Sequence, residues 1–360
     1  MVLSGGGTGG HVYPALAVAE ALREDAAAHE LLYIGAYGRM DEQIVRPTGL
    51  AFEAVRAAPL RTGSPLGALR NGVQLIVGAL QAWRALGRFR PDVVFATGGY
   101  ASVPVGMAAW LRRRPLVIYL PDVTPGWAVR LLSRLATRIA TTTERSLSQL
   151  PAGKAQAVGY PVRGAFWSTE RSEARTRLGL PADGPVLLVT GASQGARSIN
   201  RAVAEQLPTL LEVCTVLHLA GRAGEAEQRS RRDALPESIR QRYVVFGYLD
   251  DMAGAMLAAD LAVMRSGASV LGELPAAGLP AILVPGVYEG GHNQRDNARY
   301  LEEQGAAVVL ENEQLDKLGG VVSELFADGA RRRSLAEAAR KLARPDAART
   351  IARMLRDVAA

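Results

Sequence analysis

The most chemically suggestive spacing in the chain is Gly5, Gly6, Gly7, Gly9 and Gly10, five glycines in six positions, with His11 immediately after. Glycines let the backbone approach a ligand closely, and the N–H groups opening a helix attract an anion. An imidazole beside a bound anion can take a proton from an attacking hydroxyl. Gly5, Gly7 and Gly10 also fit the dinucleotide fingerprint, whose confirming mark is an acid at the end of the second strand. There the chain reads Tyr33-Ile-Gly-Ala-Tyr-Gly-Arg-Met40, with no acid before Asp41, which disfavours a nicotinamide cofactor. No Gly-Lys-Ser/Thr follows, so the loop is not a P-loop. The plainer readings are a packing turn and a structural histidine.

Three further stretches have related chemistry. Gly98-Gly99-Tyr100-Ala-Ser102 is a second glycine turn at the C-terminal end of a strand, the edge where open α/β sheets bind ligands. Both turns are therefore expected to converge on one anionic ligand, with a plain strand–helix connection as the alternative for Ser102. Gly191-Ala-Ser193-Gln194-Gly195 opens a later helix, and its N–H groups with the Ser193 hydroxyl suit a diphosphate. Glu273, four residues past Ser269, is placed to accept hydrogen bonds from ribose hydroxyls, and the polar run His292–Asn297 offers amides to sugar hydroxyls. The histidines His11, His29, His218 and His292 have no metal-ligand spacing, so no metal is expected.

The elements that must position these residues alternate. Apolar runs at Leu31–Gly35, Val93–Thr97, Leu116–Leu120 and Arg138–Thr142 are separated by amphipathic stretches such as Leu69–Phe89 and Ala128–Leu135. Such alternation predicts a parallel sheet covered by helices. The pattern breaks near Gly159-Tyr-Pro-Val-Arg163 and restarts at Pro185–Thr190, with further strands expected at Val213–Leu219, Tyr243–Phe246, Leu261–Met264, Ala281–Val284 and Ala306–Leu310. This predicts an α/β protein of two doubly wound domains facing a cleft, 1–160 and 161–345, and a last helix within 346–360. In Leu69–Phe89 the residues Leu69, Val73, Ile76, Val77, Leu80 and Trp83 form one stripe, which reads first as core and second as a membrane contact.

Charge narrows the partners. The first 160 residues hold 17 Lys and Arg against 10 Asp and Glu, and the remaining 200 hold 25 against 25, so the whole excess of +7 lies in the first part. The aromatic-studded basic stretches of RNA-binding modules are missing, and nucleic acid is not expected. A phosphate-bearing substrate or an anionic membrane surface fits. Cys214 is the only cysteine, so no disulfide forms within the chain. No basic-then-apolar leader precedes the first strand, and no signal peptide is expected.

Taken together, Gly6–His11, Pro91–Val94, Gly98–Tyr100, Gly159–Arg163, Gly191–Arg197, Asp250–Met252, Arg265–Ala268 and the stretch from Glu273 to Pro280 resemble the MurG family, glycosyltransferases that add N-acetylglucosamine to lipid I. The resemblance implies a GT-B architecture of two Rossmann-like domains, with the last helix returning to the first. It places UDP-N-acetylglucosamine in the second domain. Gly191, Ser193 and Gln194 would serve the donor, with Glu273 on the ribose and Arg163, Arg265 and Ala268 along the nucleotide. Leu249 would meet the uracil through its backbone, and Gln294 with Asn297 the sugar. The lipid-linked diphosphate acceptor falls to Gly7, Thr8, Gly9, Gly10, Gly99, Tyr100 and Ser102 in the first domain. The family works without a cofactor, as a peripheral protein on the cytoplasmic face of the bacterial inner membrane.

One stretch departs from the pattern. The family reads His-Glu-Gln-Asn after the strand at Leu116–Ile118, and this chain reads Tyr119-Leu120-Pro121-Asp122. Two candidates for the base follow, His11 and Asp122. The rival readings are a related transferase with another lipid or a secondary-metabolite acceptor, a UDP-sugar epimerase on the same fold, and a nucleotide-sugar-binding module without catalysis.

Overall fold

The computed structural model describes residues 1–24, 29–38, 40–58, 65–191, 195–286 and 292–360. Two compact units are present: Met1–Arg163 together with Arg344–Ala360, and Gly164–Ala343. The sequence placed the passages between domains at 160/161 and 345/346. The chain instead keeps residues 161–163 and 344–345 with the first unit.

The first unit is built on strands β1 (Val2–Ser4), β2 (Leu32–Ala36), β3 (Ala51–Val55), β4 (Val94–Ala96), β5 (Leu116–Leu120), β6 (Arg138–Thr141) and β7 (Ala155–Ala157). They form one parallel sheet in the order β3-β2-β1-β4-β5-β6-β7. The inner strands β1, β2, β4 and β5 are buried at every position, which explains their uninterrupted apolar runs. The edge strands β3 and β7 have no such run, because half-exposed Glu53 and exposed Gln156 interrupt them, and sequence patterning misses both. The last helix, Ala347–Ala359, buries Ala347, Ile351, Ala352 and Leu355 and packs against the helix Gly9–Arg23.

The second unit repeats the plan with β8 (Val186–Thr190), β9 (Thr215–Leu219), β10 (Tyr243–Phe246), β11 (Leu261–Met264), β12 (Ala281–Leu283) and β13 (Ala307–Val309), parallel in the order β10-β9-β8-β11-β12-β13. The strand expected from Val213 begins at Thr215, because the helix Leu207–Val213 runs through Val213. In each sheet the order reverses beside the first strand. The switch points lie between β1 and β4 and between β8 and β11, and ligands of doubly wound sheets bind at such points.

The Leu69–Phe89 pattern lies within a helix, Pro65–Phe89. Its expected core stripe is not core: Leu69 is 68% exposed, Val73 53%, Ile76 64% and Leu80 57%. The helix buries a narrower face of Leu75, Gly78, Ala82, Ala85 and Leu86 instead. A Cβ at Gly78 would stand within 2 Å of the Arg56 carbonyl, so the close approach on that face needs small residues and leaves the large ones outside.

Candidate functional site

In the first unit both glycine turns lie at the switch point, one after β1 and one after β4, and they meet at His11. The His11 Nδ1 lies 2.8 Å from the Thr97 carbonyl oxygen. A carbonyl only accepts, so a neutral ring has its proton on Nδ1 and presents a lone pair at Nε2. The Thr97 hydroxyl donates to the His11 carbonyl at 2.5 Å, so Thr97 holds both ring and backbone. Gly98 and Gly99 line the ring, since a Cβ on either would come within 3.3 Å of it. Thr97 is buried and polar, with no local signal in the sequence to single it out.

Two of the acceptor assignments change. The Gly7 N–H donates to the Asp41 carboxylate at 3.1 Å, and the other Asp41 oxygen accepts from Ala36 N–H at 3.0 Å. Asp41 is buried, and its charge stabilises the loop from beneath, so Gly7 shapes the turn. Tyr100 packs on Gly7, where a Cβ would meet its ring at 2.8 Å. Ser102 is also buried and donates to the Gly99 carbonyl at 2.8 Å, which makes it a brace of the second turn. Tyr33, on β2, donates to the Gly5 carbonyl at 2.7 Å. Thr8 stands before the helix, and its carbonyl accepts from His11 N–H at 3.1 Å. Gly9 and Gly10 are the helix's first two residues, whose N–H groups have no intrahelical acceptor and suit an anion.

The departing stretch is divided. Tyr119 and Leu120 end β5 and are buried, and burial pushes the Tyr119 phenol well above its ordinary range, so it stays protonated. Asp122 lies half-buried just beyond the strand end. Arg163 belongs to the first unit, its guanidinium 4.7 Å from the ring centroid of Tyr13 on the His11 helix.

In the second unit Gly191 follows β8, and a Cβ there would lie 2.0 Å from the Ala196 nitrogen. Ser193 and Gln194 lie outside the described residues. Across the switch point, Arg265 follows β11. Its guanidinium donates to the carbonyls of Val284 and Pro285, to Asn312 Oδ1 and to Ser198 Oγ at 2.8–3.1 Å. Arg265 thus ties the helix after the glycine loop to the end of β12, where the sequence had it lining the nucleotide. Asn297 is buried and donates to the Ser266 carbonyl at 3.1 Å, and Gln294 Oε1 accepts from Gly286 N–H at 2.7 Å. Asn297 therefore positions the β11 turn. Ala268 and Glu273, the latter on the helix Val270–Ala277, are nearly buried beyond that turn. Leu249 is half-buried past β10.

A buried network underlies the same loop. Asn200 donates to the Ala220 carbonyl at 2.8 Å, and its Oδ1 lies 3.1 Å from His218 Nε2, whose Nδ1 is 2.7 Å from the Tyr243 hydroxyl. Burial pushes His218 down to about 3 from an ordinary 6.5. Below pH 6.5 the unfolded chain takes up a proton that native His218 refuses, so stability is lost as pH falls from 6.5 towards 3. The slope from this group approaches ~1.4 kcal/mol per pH unit. Urea unfolding of His218→Leu between pH 6.5 and 4.5 is expected to show a flatter loss than the parent protein, though from a lower starting stability.

Comparisons with known proteins match the chain to a family. Residues 1–141 match the glycosyltransferase family 28 N-terminal domain, and residues 186–351 the glycosyltransferase family 28 C-terminal domain. A Roseiflexus sp. (strain RS-1) protein is 42% identical over 86% of this chain and 82% of its own length. One from Halothermothrix orenii is 36% identical over 100% and 99%. Both are named UDP-N-acetylglucosamine--N-acetylmuramyl-(pentapeptide) pyrophosphoryl-undecaprenol N-acetylglucosamine transferase. In fold, the chain is similar to the crystal structure of Acinetobacter baumannii MurG, with a TM-score of 0.75 at 22% identity over 99% of this chain and 98% of that one. It is also similar to UDP-GlcNAc 2-epimerase from Neisseria meningitidis, with a TM-score of 0.70 at 14% identity over 99% of each.

Proposed function

The chain belongs to glycosyltransferase family 28, and within it to the MurG family, and from that membership we propose that it moves N-acetylglucosamine from UDP-N-acetylglucosamine to lipid I with inversion at the sugar carbon. The observation that carries the mechanism is the bond from His11 Nδ1 to the Thr97 carbonyl at the meeting of the two glycine turns. It leaves Nε2 to take the proton of the attacking acceptor hydroxyl. The oxygen then forms the new glycosidic bond as the bond to UDP breaks. Gly9 and Gly10 hold the acceptor's diphosphate. In the second unit, Gly191, Ser193 and Gln194 hold the UDP diphosphate, and the N–H groups that open the helix Arg197–Glu205 offset the charge gathering on the leaving group. Glu273 accepts from the ribose, and Leu249 meets the uracil.

Transfer of radiolabelled N-acetylglucosamine to lipid I, run beside diacylglycerol and no acceptor, tests the reading. Label is expected on lipid I alone. Turnover on diacylglycerol without transfer to lipid I, or an epimerised product without acceptor, overturns it.

The first unit offers a surface for the membrane that holds such an acceptor. Leu69, Ile76 and Leu80 on the helix Pro65–Phe89 and Trp110 and Leu111 at the end of the helix Ser102–Leu111 are exposed, on two helices that pack together. Arg112 stacks 4.0 Å above the Trp83 ring, and Arg113 and Arg114 follow it. Apolar side chains beside guanidinium groups suit the interface of an anionic leaflet, and no described helix is long and apolar enough to cross a membrane. We place the chain at the cytoplasmic face of the bacterial inner membrane. Ile76→Asp with Leu80→Asp is expected to weaken sedimentation with phosphatidylglycerol vesicles roughly tenfold or more, and to leave UDP binding unchanged.

A further inference from the structure

The helix that carries His11 has a proline in its first turns. Pro14 is four residues past Gly10 and has no N–H, so the Gly10 carbonyl lacks the donor an α-helix would give it. The proline ring also crowds that carbonyl and tilts it off the helix axis. Gly10 C=O and His11 N–H belong to one peptide plane, so the orientation of this carbonyl sets the start of the base's own backbone.

The missing donor comes from far along the chain. The Tyr160 hydroxyl donates to the Gly10 carbonyl at 3.2 Å, and Tyr160 is 3% exposed. Its ring meets that of Tyr119 edge-on, with centroids 6.2 Å apart and planes at 67°. Tyr119 is fully buried, with its hydroxyl 2.6 Å from Thr142 Oγ1 and 3.2 Å from the Gly159 carbonyl. Thr142 in turn donates to the Pro121 carbonyl at 2.8 Å. A buried strut thus runs from the ends of β5 and β6, through two tyrosines, to the peptide that carries the base.

We propose that Tyr160, braced by Tyr119, is a positioning residue for His11, replacing the helix hydrogen bond that Pro14 removes. The role rests on the reading of His11 as base and deepens it. With Thr97 on the ring and Tyr160 on the preceding carbonyl, His11 is held from both sides. The strut also gives the Tyr119 departure a function, since the phenol reaches Gly159 next to Tyr160.

Tyr160→Phe removes only the hydroxyl. It is expected to lower kcat ~10-fold or more, as a shifted base does, with KM for UDP-N-acetylglucosamine and UDP affinity unchanged. Pro14→Ala restores an N–H for Gly10, so the double variant Pro14→Ala/Tyr160→Phe is expected to regain most of the lost kcat. Long-range ¹⁵N–¹H spectra of His11 should show the Nδ1–H tautomer in the parent and in the double variant, and a mixture in Tyr160→Phe. A kcat within about twofold of the parent, a loss that Pro14→Ala does not rescue, or an unchanged tautomer overturns the strut. His11→Ala in the same assay separates the two ideas. If it keeps its activity, the base reading fails, and the tautomer spectra, which need no acceptor, still decide the strut.

Discussion

Replacing His11 by alanine is expected to lower kcat for transfer to lipid I by about 100- to 10,000-fold, the usual contribution of a positioned base. UDP affinity, measured by calorimetry, should stay within about twofold, because Gly191, Ser193, Gln194, Leu249 and Glu273, proposed to bind UDP, belong to the second unit. The argument is geometric. The Thr97 carbonyl fixes the ring proton on Nδ1, and Gly98 and Gly99 leave the ring no side chain to rest against. Asp122 is the competing base, half-buried beyond β5, whereas the ring held at the meeting of the two turns by the Thr97 carbonyl is that of His11. Asp122→Asn should therefore cost less than about tenfold. If Asp122→Asn costs more than His11→Ala, the carboxylate is the base and the role of the Thr97 bond in catalysis falls.

The glycine turns were legible in the sequence because their signal is local: a short apolar run, consecutive glycines and an amphipathic stretch suffice. That the first two lie side by side follows from a general property of doubly wound sheets, since β1 lies beside β4. What each polar side chain does there was not legible, because the partner is distant in sequence. Ser102 and Gly99 are near neighbours, but Arg265 meets Asn312, Asn297 meets the β11 turn, and Asp41 turns back to Gly7. A residue type that suits a ligand also suits a carbonyl, and only the fold decides between them. Asp41 stands too late in the sequence for a ribose, and its use under the loop depends on the β1–β2 pairing. The stripe on Pro65–Phe89 failed for another reason. Helical periodicity says which residues share a face, and small residues elsewhere on that helix chose which face is buried.

Gly99→Ala should inactivate the protein almost as fully as loss of His11, without touching a titratable group. Gly99 has φ of +75°, and a Cβ there would stand 2.0 Å from the Gly6 carbonyl oxygen and 3.3 Å from the His11 ring. The left-handed conformation costs an alanine about 1–2 kcal/mol. The clash is the larger effect: the Gly6 carbonyl is backbone and has no rotamer to escape into, so one glycine turn must move away from the other, and a shift of ~1 Å at a reacting group costs about 100-fold. Gly49→Ala supplies the control. Its φ is +71°, nearly the same, and nothing lies within 4 Å of the added carbon. Both variants should lose similar stability from the backbone in urea, with a further loss in Gly99→Ala, and only Gly99→Ala should lose turnover. Equal turnover in the two would mean that the turns tolerate separation, and that the close contact of Gly6 with Gly99 plays no part in placing His11.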